Sequence, residues 1–172
     1  MRLFLTLLTF IMISTTMTAN AEERIVRHKN PAHMTESWAR EFAEAIEVTG
    51  TTSYLYLSGV GPRVADPSAP SGSIRSYGDT ETQTRSVLEQ IKQILGQKGY
   101  AMGDIISMQA LLVADPNVGQ RADFTAFSKV YNQYFGTPDQ PDVPVRTRAQ
   151  VLNLVPPGWL VEITVVAAKP GK

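Results

Sequence analysis

The sequence predicts an α+β domain in which a mixed β-sheet carries two helices packed on one of its faces. Two segments place apolar residues at helical spacing, and six others are β-branched or aromatic runs bounded by turn residues. Their order along the chain is strands, helix, strand, helix, two strands, which suits helices laid against a mixed sheet. With 172 residues, 43% hydrophobic and 19% charged, there is material for one core and little more.

The first 21 residues read as a segment apart from that domain. Met1-Arg2 leads into an apolar stretch, Leu3 to Ile13, and then to small and polar residues ending in Ala19-Asn20-Ala21. This is the pattern of a cleavable export signal, and the apolar run is short of the roughly 20 residues that span a bilayer. The expectation is a single mature domain over residues 22–172, periplasmic or secreted, without stable membrane insertion; an uncut N-terminal anchor is the alternative. The chain has no cysteine, which excludes disulfides, thiolate metal sites and a cysteine nucleophile.

Arg24 to His28, Ala45 to Val48 and Tyr54 to Ser58 read as the first strands, with Thr49-Gly50-Thr51-Thr52 joining two of them. Residues 30–44 hold Trp38 and Phe42 and fit either a short helix or an irregular lead into the second strand. Gly61 to Gly78 is rich in Pro, Ser and Gly and reads as a long exposed loop. The first helix is expected between Asp79 and Lys98, with Val87, Leu88, Ile91, Ile94 and Leu95 on its apolar face, a cap from Asp79 or Thr80, and Gly99 as a left-handed stop. Ile105 to Val113 follows as a central strand.

The second helix is expected over Gln120 to Phe135, its stripe of Phe124, Phe127, Val130, Tyr131 and Tyr134 read as core. Arg146 to Asn153 and Trp159 to Ala168 complete the strands. Ile105 to Val113 and Trp159 to Ala168 are apolar on nearly every residue, as strands covered on both faces are. Two helices on one face leave the other bare, so a homo-oligomer is expected.

Lys plus Arg number 16 and Asp plus Glu 16, so no field of one sign favours a nucleic acid or an anionic membrane. His28 and His33 lack further ligands at metal-site spacing and read as surface residues, so no metal is expected. Gly59-Val60-Gly61-Pro62 runs into a proline-rich loop and no helix, which excludes a phosphate loop or a serine-nucleophile elbow.

One segment is specific. Pro144-Val145-Arg146, then Val151, Leu154 and Pro156, then Val161-Glu162-Ile163 resemble the signature of the Rid family, the YjgF-type reactive-intermediate deaminases. Tyr54 to Gly59, Gly78-Asp79 with Gln83-Thr84, Gly99, Asp104, Asp123-Phe124, Val130-Tyr131 and Tyr134-Phe135 extend the resemblance over about residues 45–168. It implies a chorismate-mutase-like fold, a homotrimer with small-molecule sites between subunits, and cofactor-free hydrolysis of small 2-imino or 2-enamino acids to 2-oxo acids and ammonia.

Arg146 matches the family's arginine, whose planar fork can hold a substrate carboxylate through two parallel hydrogen bonds; pairing with Glu162 or another acid is the structural alternative. Glu162 matches the family's glutamate and is the candidate general acid/base, set between Val161 and Ile163, or else a structural acid. Ser58 is a candidate ligand contact, or an ordinary turn residue before glycine.

Departures bear on substrate. Thr147 and Arg148 stand where a small residue commonly follows the arginine, and Arg148 either adds carboxylate affinity or fills space. Ser128 stands for a common asparagine, Val60 for a frequent glutamine, and the region of Trp38 and Phe42 replaces a tyrosine-containing segment. One extra residue lies near Val155-Pro156-Pro157. A non-catalytic trimer that binds a small carboxylate or a partner protein is the rival reading.

Overall fold

The computed structural model describes residues 24–171, so the expected export signal lies outside the described residues. The elements are β1 (Arg24–Lys29), β2 (Ala43–Thr49), β3 (Thr52–Tyr56), a short helix α1 (Ile74–Tyr77), α2 (Thr80–Gln97), β4 (Ile105–Leu112), α3 (Phe124–Tyr131), β5 (Val145–Gln150) and β6 (Val161–Pro170). The main sheet has the order β3-β6-β4-β5 and is mixed: β6 runs antiparallel to β3 and β4, while β4 and β5 are parallel.

This order explains why both long helices share a face. β3 and β4 point the same way and are joined through α2, and β4 and β5 are joined through α3. Both crossovers step in the same direction across the sheet, so connections of one hand put both helices on one side. Val87, Leu88, Ile91 and Leu95 of α2 and Phe127, Val130 and Tyr131 of α3 are fully buried there, against Met108, Ala110 and Leu112 of β4 and Val161, Ile163 and Val165 of β6.

α2 begins as expected, with the Asp79 carboxylate accepting from the Thr82 amide. It ends in a Schellman motif: the amides of Gly99 and Tyr100 donate to Gly96 O and Leu95 O, and Gly99 takes a φ of +75°. The family-matching Gln83 has a structural task, donating to the carbonyls of Gly78 and Gly158 and accepting from the Leu160 amide at 2.7 Å.

Three expectations are corrected, and the open reading of residues 30–44 is decided. The second helix starts at Phe124 rather than Gln120, because the Asp123 carboxylate caps it at the Ala126 amide, and it closes at Tyr131; residues 132–135 continue in tighter turns to Gly136, whose φ is +68°. Residues 30–44 form two 3-10 turns, Pro31–Met34 and Trp38–Arg40. The strands make two sheets, since β1 pairs only with β2, tied to the rest by the Ala43 amide on Pro144 O at 3.0 Å. The loop of residues 61–78 is largely exposed as expected but not throughout: its end forms α1, where Ser76 is buried and Ile74 packs on the core.

Within one chain the first part of β6, residues 161–166, is covered on one side only. Val161, Ile163 and Val165 are at 0–1% exposure, whereas Glu162, Thr164 and Val166 are half-buried on the opposite face, beside Tyr54 and Tyr56 of β3 at 46% and 72%.

Candidate functional site

Arg146 stands opposite Met108 in the β4–β5 ladder, and Met108 faces the helices, so Arg146 and Arg148 both project to the helix side. The Arg146 guanidinium enters an aromatic box, its central carbon 4.2 Å from the centroid of Tyr131, 5.7 Å from that of Phe42 and 5.8 Å from that of Phe127. Its Nη2 donates to Glu41 Oε2 at 2.6 Å, and its side chain is 1% exposed. Nη1 is buried and has no acceptor among the described residues. Arg148 lies over Phe124 and Phe127 at 5.5 and 5.8 Å, donates from Nη1 to Ser128 Oγ at 2.6 Å, and comes within 3.8 Å of Glu41 Oε2.

Glu41 is the centre of this cluster. Besides Arg146, its carboxylate accepts from Ser128 Oγ at 3.0 Å and Asn132 Nδ2 at 3.3 Å, while the Tyr131 hydroxyl donates to its backbone carbonyl at 2.8 Å. Burial opposes its charge, but the hydrogen bond and attraction of Arg146, with the bonds from Ser128 and Asn132, outweigh burial and hold the carboxyl below the usual value of 4.5. Burial pushes the Tyr131 phenol well above its ordinary range. Burial, then the neighbouring Arg146, draws the Arg148 pKa down. Two guanidinium groups thus face one carboxylate.

The other site candidates lie elsewhere. Glu162 pairs with Leu111 and alternates with buried Val161 and Ile163, so it projects from the sheet face opposite the helices. Its carboxylate rests against Gly59, where a Cβ would collide with Oε1, and exposed Ser58 precedes that glycine. The structure therefore brings Arg146, Arg148 and Ser128 together and leaves Glu162 and Ser58 as a second group. The residue of β6 level with Arg146 is Val165, so Glu162 is three residues further along, two strands away, and on the opposite face. A cavity of about 300 Å³ between β2 and β5 is bordered by Phe42, Arg146 and Thr147; a cleft of about 490 Å³, lined by Arg27, His28, His33 and Arg40, lies beside β1. Glu162 borders neither.

The motif around Arg146 and Glu162 can be set beside known proteins. The family model described as Endoribonuclease L-PSP, the YjgF/Rid model, matches residues 25–169. The chain belongs to the Rid family. A RutC family protein of Pyrococcus horikoshii is 37% identical over 117 residues, 68% of this chain and 80% of that one. The 3-aminoacrylate deaminase RutC of Acinetobacter baylyi is 33% identical over 125 residues, 73% and 86% of the two chains. Among solved structures, Escherichia coli TdcF with bound serine has a TM-score of 0.53 at 27% identity, covering 76% of this chain and 94% of its own. The Rid protein YyfB of Yersinia pestis superposes with a TM-score of 0.60 at 23% identity over 83% of this chain and 98% of its own, a likeness of fold.

Sequence reasoning about this Rid chain missed Glu41. It lies 105 residues before Arg146, in a stretch of 3-10 turns without periodicity. The one signal was the replacement of the family's tyrosine-containing segment by the region of Trp38 and Phe42, which is where Glu41 stands.

Proposed function

We propose that this protein hydrolyses small 2-imino or 2-enamino acids to 2-oxo acids and ammonia without a cofactor. The observation that carries the reading is the charge balance of the enclosed cluster, Arg146 and Arg148 against Glu41, which leaves one positive charge for one small carboxylate. The relative from Acinetobacter baylyi is a deaminase of an amino-acrylate, and TdcF holds serine; both ligands carry a carboxylate on a short carbon frame. An RNA substrate is disfavoured, because acids and bases are balanced along the chain and both arginines turn toward the protein interior.

The chemistry needs the carboxylate held, water positioned, and a proton moved to nitrogen. An enamine first takes a proton on C3 and becomes the imine. Water oxygen then bonds to C2 while Glu162 carries one proton from that water to nitrogen, giving a carbinolamine; as the C2–N bond breaks, the proton of the new hydroxyl passes by way of Glu162 to nitrogen, so that ammonia leaves and the C2=O of the 2-oxo acid remains. Glu162 and the arginines lie on opposite faces of one sheet, so one substrate meets both only across a boundary between copies. The bare face with Tyr54 and Tyr56 gives such a boundary apolar surface to bury, and a homotrimer is the assembly we propose.

The alternative, a carboxylate-binding trimer without catalysis, is favoured by that same separation of Glu162 from the arginines. The test is the rate of 2-oxo acid formation from imino acids made in situ by an amino acid oxidase, in competition with semicarbazide. Wild type should outrun the trap and Glu162→Gln should not. Equal failure of both across several side chains would leave the binder as the surviving reading, and a monomer in sedimentation velocity would remove the shared site.

A further inference from the structure

We propose that Glu41 is a specificity-determining residue that restricts the Arg146 site to substrates with a single carboxylate. The inference rests on the carboxylate-binding reading above and names the acids the site admits and rejects.

Arg146 keeps a donor for a ligand. Glu41 Oε2 accepts from Nη2 at 2.6 Å, whereas Nη1 is buried and has no acceptor among the described residues. A charged N–H left buried without an acceptor is costly, so an oxygen from outside the chain belongs there. There is room for one, since Arg146 borders the cavity of about 300 Å³ between β2 and β5. The guanidinium is planar and lies 4.2 Å from the centroid of Tyr131, so the bond at Nη2 also fixes the direction of Nη1. A ligand carboxylate that accepts from Nη1 completes Arg146 without displacing Glu41.

Charge then decides which acids are held. Arg146 and Arg148 against Glu41 leave one positive charge, which one carboxylate cancels. A second carboxylate on the same short frame meets no cation to answer it. Arg146 is the one cation bordering the cavity, and Arg148 donates to Ser128 Oγ and stands 3.8 Å from Glu41 Oε2. Glu41 is well placed to oppose that second charge, because its side chain is only 15% exposed and water screens it little. Ser128 and Asn132 donate to its carboxylate and the Tyr131 hydroxyl holds its carbonyl, so it cannot swing away. Glu44 also borders the cavity but is exposed, where solvent weakens its field. Glu41 therefore acts on the ligand through charge as well as through the position of Arg146.

The experiment compares pyruvate with oxaloacetate, which keeps the 2-oxo acid frame and adds a carboxylate. Both are titrated at neutral pH and followed by amide chemical shifts, on wild type, Glu41→Gln, Glu41→Asp and Glu44→Gln, each checked for folding by circular dichroism. Wild type should prefer pyruvate. Glu41→Gln keeps an oxygen for Nη2 and loses the charge, so the affinity ratio should move at least about tenfold toward oxaloacetate. Glu44→Gln should move it less. Glu41→Asp keeps the charge on a shorter side chain, and should weaken both acids while preserving the wild-type ratio; a merely structural Glu41 would weaken both acids alike in every variant. An unchanged ratio in a folded Glu41→Gln overturns the inference. So does wild type that binds oxaloacetate as tightly as pyruvate, without recourse to any variant, and either result leaves the deaminase reading intact. Wild type that binds neither acid and hydrolyses no imine counts against that reading and this inference together.

Discussion

The two faces of the main sheet differ in how far a single chain completes them. On the helix side, Arg146, Glu41, Ser128 and Arg148 form a connected set of hydrogen bonds around aromatic rings, and Arg146 is almost fully buried. On the opposite side, Glu162 leans on Gly59 beside an exposed Ser58, and Tyr54 and Tyr56 stand uncovered. One short signature, Pro144 through Ile163, supplies residues to both faces. Strand alternation divides them: Arg146 pairs with core-facing Met108, and Glu162 with Leu111 on the other parity. Residues grouped by a motif therefore separate into a part enclosed and hydrogen-bonded within the chain and a part left at its surface.

The largest expected effect breaks the first face. Arg146→Ala leaves the Glu41 carboxylate without its hydrogen-bonded cation, with only Arg148 at 3.8 Å, and loss of one partner from a buried pair costs about 3–5 kcal/mol. Urea denaturation should show a loss of that order, with Glu162→Gln within about 0.5 kcal/mol of wild type because its carboxylate is only half-buried. Equal losses from the two variants would mean that the faces do not differ in the way described.

A smaller effect sharpens the same comparison through pH. The folded Glu41 carboxyl is held below 4.5, so it contributes stability above the unfolded value, and this is lost as pH falls through the folded value. Glu41→Gln should cost about 1–3 kcal/mol at neutral pH, because the amide still reaches its donors but no longer balances the buried guanidinium. Below about pH 4.5 the variant and wild type should converge, since protonation removes the charge that the substitution removes. Parallel stability curves from pH 7 down to pH 3 would show that Glu41 is not the group responsible.

The sequence made the elements legible because each carried its own period or cap. The strand segments fall within a few residues of their observed bounds, and α2 begins at Asp79 and stops at Gly99 because both signals are local. The second helix was overextended because its aromatic stripe continues past Tyr131 into tighter turns, where Phe135 is still buried, so burial outlasts the helix. Sheet partnership was less legible, since nothing local tells β1 to pair only with β2. Arg146, Arg148 and Ser128 were found through the family motif, whereas Glu41 joins them by a contact across 105 residues from a segment without periodicity.

The smallest expected change in stability gives the sharpest reading of the second face. Gly59 has no unusual φ, so alanine there meets no backbone penalty; the obstacle is the Glu162 carboxylate, which occupies the space of the new Cβ. The end of a glutamate side chain can swing aside, so Gly59→Ala should change stability by less than about 1 kcal/mol and leave the Arg146 cluster untouched. It should nevertheless displace the carboxylate by roughly the width of a methyl group, and a shift near 1 Å in a proton-transferring group can lower turnover on the order of 100-fold. A fall in kcat/KM for imine hydrolysis with unchanged denaturation and unchanged pyruvate affinity would assign the chemical step to the Glu162 face and carboxylate capture to the arginine face. Undiminished hydrolysis by Gly59→Ala would mean that the position of Glu162 does not matter to the reaction, and the helix-side cluster would then have to supply the proton transfer as well as the binding.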